Sequence, residues 1–185
     1  MISSPKCSDD FISWDEKNIH KYKKLKPVHI QNIHKKYGYE VLQGEGKVEG
    51  RLLGGCLDVF MMFVGTKIWP DIKKWKDAIL FVETSEEKPS PDFVKWTFRN
   101  LAAQGILNVI KAIIVGKPQG EVFFKEYKES IMQVVSKEEE LADLPIIYNV
   151  NFGHASPIGI LPYGICAQID CYEKTITLLE NATIR

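Results

Sequence analysis

A mixed α/β fold is predicted by three features of the sequence. Two predominantly apolar runs, Ala78 to Val82 and Val109 to Val115, flank a segment with helical spacing, and several further strand-like runs follow one another without a helix between them. A short apolar run bounded by polar residues is the pattern of a strand buried on both faces, and strands that alternate with helices argue for parallel pairing. The extra strands argue for a mixed sheet rather than a purely parallel one.

Residues 1 to 38 stand apart. Lys17, Lys21, Lys23, Lys24, Lys26, Lys35 and Lys36 crowd a stretch with little sustained periodicity, which reads as a linker or arm. His20, His29 and His34 lie there at spacings that put no two imidazoles on one helical face, so no metal site is expected from them. From Tyr39 the chain is read as one domain, 39 to 185. Strands are predicted at Tyr39 to Leu42 and Lys47 to Leu53, with glycines at the turns, and a short apolar helix over Cys56 to Val64. After the strand Ala78 to Val82, Ser90-Pro91-Asp92 offers an N-cap, a proline at the first helical position and an acid in the first turn. Val94, Phe98 and Leu101 then repeat at helical spacing up to Gly105. A second amphipathic helix runs from Phe123 to Val135, and strands follow at Pro145 to Val150, Tyr163 to Ile169 and Thr175 to Leu179, the last two joined by a turn at Asp170 to Lys174.

Composition excludes several functions. Twenty-four Lys and Arg balance twenty-four Asp and Glu, so the chain lacks the net positive field that holds a phosphate backbone, and nucleic acid is not an expected partner. The longest unbroken apolar stretch, Val59 to Val64, is far short of the roughly 20 residues that span a bilayer, so no membrane association is expected. The start of the chain has no basic region followed by an apolar core and a cleavage site. Cys7, Cys56, Cys166 and Cys171 fit neither a zinc ribbon nor a C-x-x-C redox motif. They read as reduced thiols in a cytoplasmic protein, with no metal and no cofactor.

Two places carry polar groups where catalysis would want them. Glu83 closes the strand Ala78 to Val82, with Thr84, Ser85, Glu86 and Glu87 behind it, and strand C-termini are where α/β folds gather catalytic groups. His154 follows the run Ile146 to Asn151 between Gly153 and Ala155, whose small size leaves room for another molecule. An acid on one ring nitrogen fixes the tautomer and steadies the imidazolium formed when the other nitrogen takes a proton. The Gly116-Lys117 pair lacks the rest of a phosphate-loop pattern and reads as a turn. The missing part is a nucleophile: Ser85, Ser90, Ser130, Ser136 and Ser156 show no G-x-S-x-G elbow.

Four blocks make the sequence recognisable. Gly50 to Leu57, Ile79 to Glu86, Ile114 to Gln119, and Tyr148 to Ala155 with Leu161 to Gly164 resemble the C-terminal half of the LD-carboxypeptidase family, the S66 serine peptidases that include the microcin C immunity proteins. Ser8 to Phe11 and Trp14 look like the segment that joins that family's two domains. The resemblance implies a swivelling β/β/α domain in a cytoplasmic Ser-Glu-His hydrolase, with Glu83 as triad glutamate and His154 as triad histidine. It implies amide substrates in murein tetrapeptides, within peptidoglycan recycling, or in peptidyl-nucleotide antibiotics. The serine belongs to an N-terminal domain that this chain lacks, so the chain alone is expected to be inactive, as half of a peptidase that pairs with that domain and forms a homodimer. The alternative is a binding or assembly module without catalysis. Cys56 departs from the family, standing where many members carry Asn, and with Glu86 and Glu87 falls in the region that lines the family's substrate cleft. The two glutamates would disfavour anionic leaving groups there, unless both point into solvent.

Overall fold

The computed structural model describes residues 38–182. The basic arm, with Cys7, His20, His29 and His34, lies outside the described residues. Seven strands form one sheet: β1 (Glu40–Gln43), β2 (Lys47–Cys56), β3 (Ala78–Glu83), β4 (Ala112–Gly116), β5 (Ile146–Val150), β6 (Cys166–Asp170) and β7 (Thr175–Leu178). Their spatial order is β1-β5-β4-β3-β2-β6-β7. The central four, β5, β4, β3 and β2, run parallel, while β1, β6 and β7 add antiparallel edges. The predicted mixed sheet is therefore present, and its parallel centre presents four strand C-termini on one edge.

The helices are α1 (Leu57–Phe63), α2 (Ile72–Trp75), α3 (Pro91–Ala103) and α4 (Phe124–Met132), the last continued by a π-helical turn over Gln133–Glu138. At the start of α3 the Ser90 hydroxyl accepts from the Phe93 N–H at 3.2 Å, satisfying a donor that the helix cannot pair internally. Val94, Phe98 and Leu101 line its buried face and pack with Leu80, Val82, Ile113 and Val115 of the sheet and Tyr127 and Ile131 of α4. Each such side chain taken from water contributes about 1.5–3 kcal/mol. The opposite face of the sheet has its own cluster, built from Ile79, Phe81, Ile114 and Ile147 with Phe152, Ile169 and Ile176.

Three element boundaries differ from the sequence prediction, each for a local reason. β2 continues past Leu53 through Gly54 and Gly55 to Cys56. Gly54 is required there by close packing, since a Cβ would fall 1.7 Å from the Phe81 carbonyl oxygen. β4 starts at Ala112 because the Val109 and Ile110 N–H groups are engaged by the Ile106 carbonyl in a turn. β6 starts at Cys166 because Gly164, at φ +74°, turns the chain and donates to the Leu52 carbonyl. The short helix α2 was not foreseen; Asp71 caps it by accepting from the Lys73 N–H at 2.9 Å. Among the described residues no helix is long and apolar enough to cross a membrane.

Candidate active site

Glu83 is the last residue of β3, and Cys56, the last of β2, is its register partner on the neighbouring strand. One strand further, β4 ends at Gly116 beside the end of β5. The loop after β5 then carries His154 back over the ends of β4 and β3. Its Nδ1 lies 2.8 Å from Glu83 Oε2, a hydrogen bond that spans 71 residues of sequence. Its Nε2 lies 3.0 Å from Glu86 Oε2. The ring thus sits between two carboxylates, and a doubly protonated imidazole donates to both.

Glycines make the space for the acid. A Cβ at Gly116 would come 2.7 Å from the Glu83 Cβ, and one at Gly153 would come 2.5 Å from Glu83 Oε2. Gly153 also sits at φ +83°, where an L side chain is strained. The loop is held by backbone bonds: Phe152 N–H to the Val150 carbonyl and Gly159 N–H to the Asn151 carbonyl. Phe152 packs edge-on against Phe81, which in turn meets Tyr163.

The electrostatics follow from this placement. Glu83 is 7% exposed, whereas the His154 side chain is 40% exposed, so the ring has a buried partner and an open side. The hydrogen bond to Glu83 raises the His154 pKa above its ordinary 6.5, aided by the charges of Glu83, Glu86 and Asp58 and opposed by burial. Burial, then the charge of Glu83, pushes the Cys56 thiol up to about 12. That thiol points at Asp58 Oδ2, 3.4 Å away, and the same oxygen accepts from the Ser85 N–H at 3.0 Å. Next to Cys56 an apolar cavity of about 240 Å³ opens between Leu53, Gly55, Phe63, Trp69 and Tyr163.

The fold therefore brings together four of the five residues singled out in the sequence: Glu83, His154, Glu86 and Cys56. Glu87 is exposed, and its side chain makes no ion pair or hydrogen bond among the described residues. Glu86 reaches the ring, a contact that its place behind the strand did not reveal. Asp58 was missed altogether; its position in the first turn of a helix that starts at the strand end was the available signal. The serines are occupied elsewhere: Ser90 caps α3, Ser130 is buried in α4, and Ser85 accepts from the Glu87 N–H. Among the described residues no serine hydroxyl bonds the imidazole.

A mixed α/β domain whose parallel strand ends present a hydrogen-bonded acid and imidazole is the class that fold and site define. The LD-carboxypeptidase C-terminal domain family matches residues 49–169, and the chain belongs to that family. The Escherichia coli microcin C7 self-immunity protein MccF is 29% identical over 177 residues, 95% of this chain and 47% of the relative. An MccF-like protein from Streptococcus pneumoniae, solved in complex with AMP, is 37% identical with a TM-score of 0.70, over 78% of this chain and 45% of that one. MccF solved in complex with aspartyl sulfamoyl adenosine is 27% identical with a TM-score of 0.66, over 80% of this chain and 43% of that one. The chain spans about half the length of the curated relatives it matches.

Proposed function

We propose that this chain is the C-terminal half of an LD-carboxypeptidase-like serine peptidase and supplies the Glu and His of a Ser-Glu-His triad. The observation that carries the reading is the 2.8 Å bond between Glu83 and His154 Nδ1, the acid-to-ring contact that such a triad needs. Glu83 would fix the tautomer with Nδ1 protonated and leave Nε2 to take the proton of a serine hydroxyl. The same nitrogen would then return the proton to the leaving amine, and water would release the acyl group by the reverse of these steps. Glu86 sits on Nε2 in the free chain, so it must swing aside when the serine arrives. Its side chain is 58% exposed, which leaves it room to do so.

The serine and its oxyanion hole would come from an N-terminal domain, joined to this one through the segment 1–38. Without a nucleophile the chain alone should turn over nothing measurable, since loss of the serine from such a triad costs about 10⁶-fold. Amides of two kinds fit the family: the bond before a terminal D-amino acid of a murein tetrapeptide, and the aminoacyl bond of a peptidyl nucleotide. The relatives solved with AMP and with aspartyl sulfamoyl adenosine support the second, and the apolar cavity beside Cys56 has room for part of either. Free Cys56, Cys166 and Cys171 fit a reducing, cytoplasmic site of action.

The test mixes the chain with a separately produced N-terminal half of a relative and supplies the murein tetrapeptide or aspartyl sulfamoyl adenosine. Turnover only in the mixture, abolished by His154→Ala, is the expected result. Turnover by the chain alone, or a mixture whose activity survives His154→Ala, overturns the assignment.

A further inference from the structure

The cluster around His154 holds more negative charge than a triad uses. Glu83, Glu86 and Asp58 all act on the ring, the Cys56 thiol bonds Asp58, and among the described residues no lysine or arginine is ion-paired with any of these carboxylates. A group of acids paired by nothing but one imidazole favours a positively charged ligand.

The donor types say which one. One ligating atom from each of Cys56, Glu83 and His154 lies within 4.8 Å of the other two. A thiolate with an imidazole selects zinc-class ions over magnesium or calcium, which prefer all-oxygen sets. Three protein ligands of sulfur, nitrogen and oxygen, with a fourth position open, are a normal zinc complement. With metal-ligand bonds of about 2.0–2.3 Å, tetrahedral donors sit about 3.5 Å apart. The widest gap here must therefore close by at most about 1.3 Å. The partly exposed imidazole and thiol can supply that movement by small rotamer changes, while Glu86, 3.0 Å from His154 Nε2, holds the ring nitrogen that faces away from Glu83.

We propose that Cys56, Glu83 and His154 form a binding site for a single zinc-class divalent cation at the ends of β2, β3 and the loop after β5. Cys56 enters as thiolate, and its proton leaves to solvent. Sequence spacing gave no hint of the site because its three ligands lie 27 and 71 residues apart and meet only through the β2–β3 register and the loop after β5. Binding does not depend on the peptidase reading. If that reading holds, the ion opposes it, because it engages the ring that would move the proton.

The chain itself is the sample: zinc chloride is titrated calorimetrically into it, and cobalt(II) is titrated in parallel with absorption as the readout. One zinc per chain is expected, weakened about 100-fold or more by Cys56→Ser and by His154→Gln, since even outer partners of a metal site cost about 10–100-fold when removed. Cobalt should give a thiolate-to-metal charge-transfer band that Cys56→Ser removes and Cys166→Ser keeps. Thermal unfolding of each variant checks that the fold is retained. Absence of saturable binding overturns the proposal. So does zinc held equally well by Cys56→Ser, which would place the ion elsewhere, such as on His20, His29 and His34.

Discussion

Along β3, Leu80 and Val82 face the helices and join the large cluster around Phe98 and Ile131, whereas Ile79, Phe81 and Glu83 face the other side of the sheet. Both faces are buried, yet they are built on different terms. The helix side is filled mainly by aliphatic and aromatic side chains. The other side ends in a carboxylate kept in a slot cleared by two glycines, with a histidine laid across its mouth. On the proposed function one strand serves stability on one face and chemistry on the other, and substitutions on the two faces should separate these properties.

The largest effect expected is on catalysis. In the complemented enzyme Glu83→Gln should lower kcat by about 10⁴-fold, as loss of the orienting acid does in comparable triads, with little change in the unfolding midpoint. Leu80→Ala, on the helix side, should do the reverse, costing about 2–5 kcal/mol of stability while leaving His154 in place. Chemical denaturation and single-turnover rates on both variants measure the split. If Leu80→Ala leaves stability unchanged, or Glu83→Gln leaves kcat unchanged, the division between the faces fails.

A smaller effect isolates the slot. Gly153 and Gly105 both have positive φ, at +83° and +75°, but a Cβ at Gly153 would strike the Glu83 carboxylate while one at Gly105 would meet nothing within 4 Å. Gly105→Ala should therefore cost only the backbone strain, about 1–2 kcal/mol. Gly153→Ala should cost more and also disturb the bond between Glu83 and His154. Equal losses in thermal unfolding would mean that the loop after β5 yields and the slot is not tight.

The smallest effect is a titration. Because Glu83 raises the His154 pKa, the pair's contribution to stability is full below about pH 6.5 and is lost as pH rises through the higher folded midpoint. Activity has the opposite sense, since only the neutral ring can act as base, so turnover should rise through that same midpoint. Histidine resonances followed by NMR in chelated buffer should give a midpoint above 6.5, moving back toward 6.5 in Glu83→Gln. A midpoint at or below 6.5 in the unaltered chain would contradict the electrostatics of the site.

Much of this was legible in the sequence, for reasons that mark where reading stops. The apolar run Ala78 to Val82 announced a buried strand, and the Ser90-Pro91-Asp92 cap announced α3, because both signals are local. Glu83 and His154 stood out as polar groups at strand ends, and the four resembling blocks gave each a role. Their contact depends on β3, β4 and β5 lying side by side, which no local pattern encodes. The glycines at 54, 116 and 153 could be read only as permissive. That they clear space for Phe81 and for Glu83 is a property of the neighbouring strands. Glu86 and Asp58 were undetermined for the same reason, since whether an acid behind a strand faces solvent or an imidazole is decided by the loop that crosses it.

The pairing of Cys56 with Glu83 across β2 and β3 sets a rule for anyone who would lengthen or shorten the sheet. Side chains alternate between its faces, so deleting or inserting one residue within β3 would turn the carboxylate toward Phe98 and the helices and bring an aliphatic side chain under the histidine. Indels in this strand keep the carboxylate on its face only in twos, and a graft of this edge onto another scaffold must conserve parity before it conserves distance.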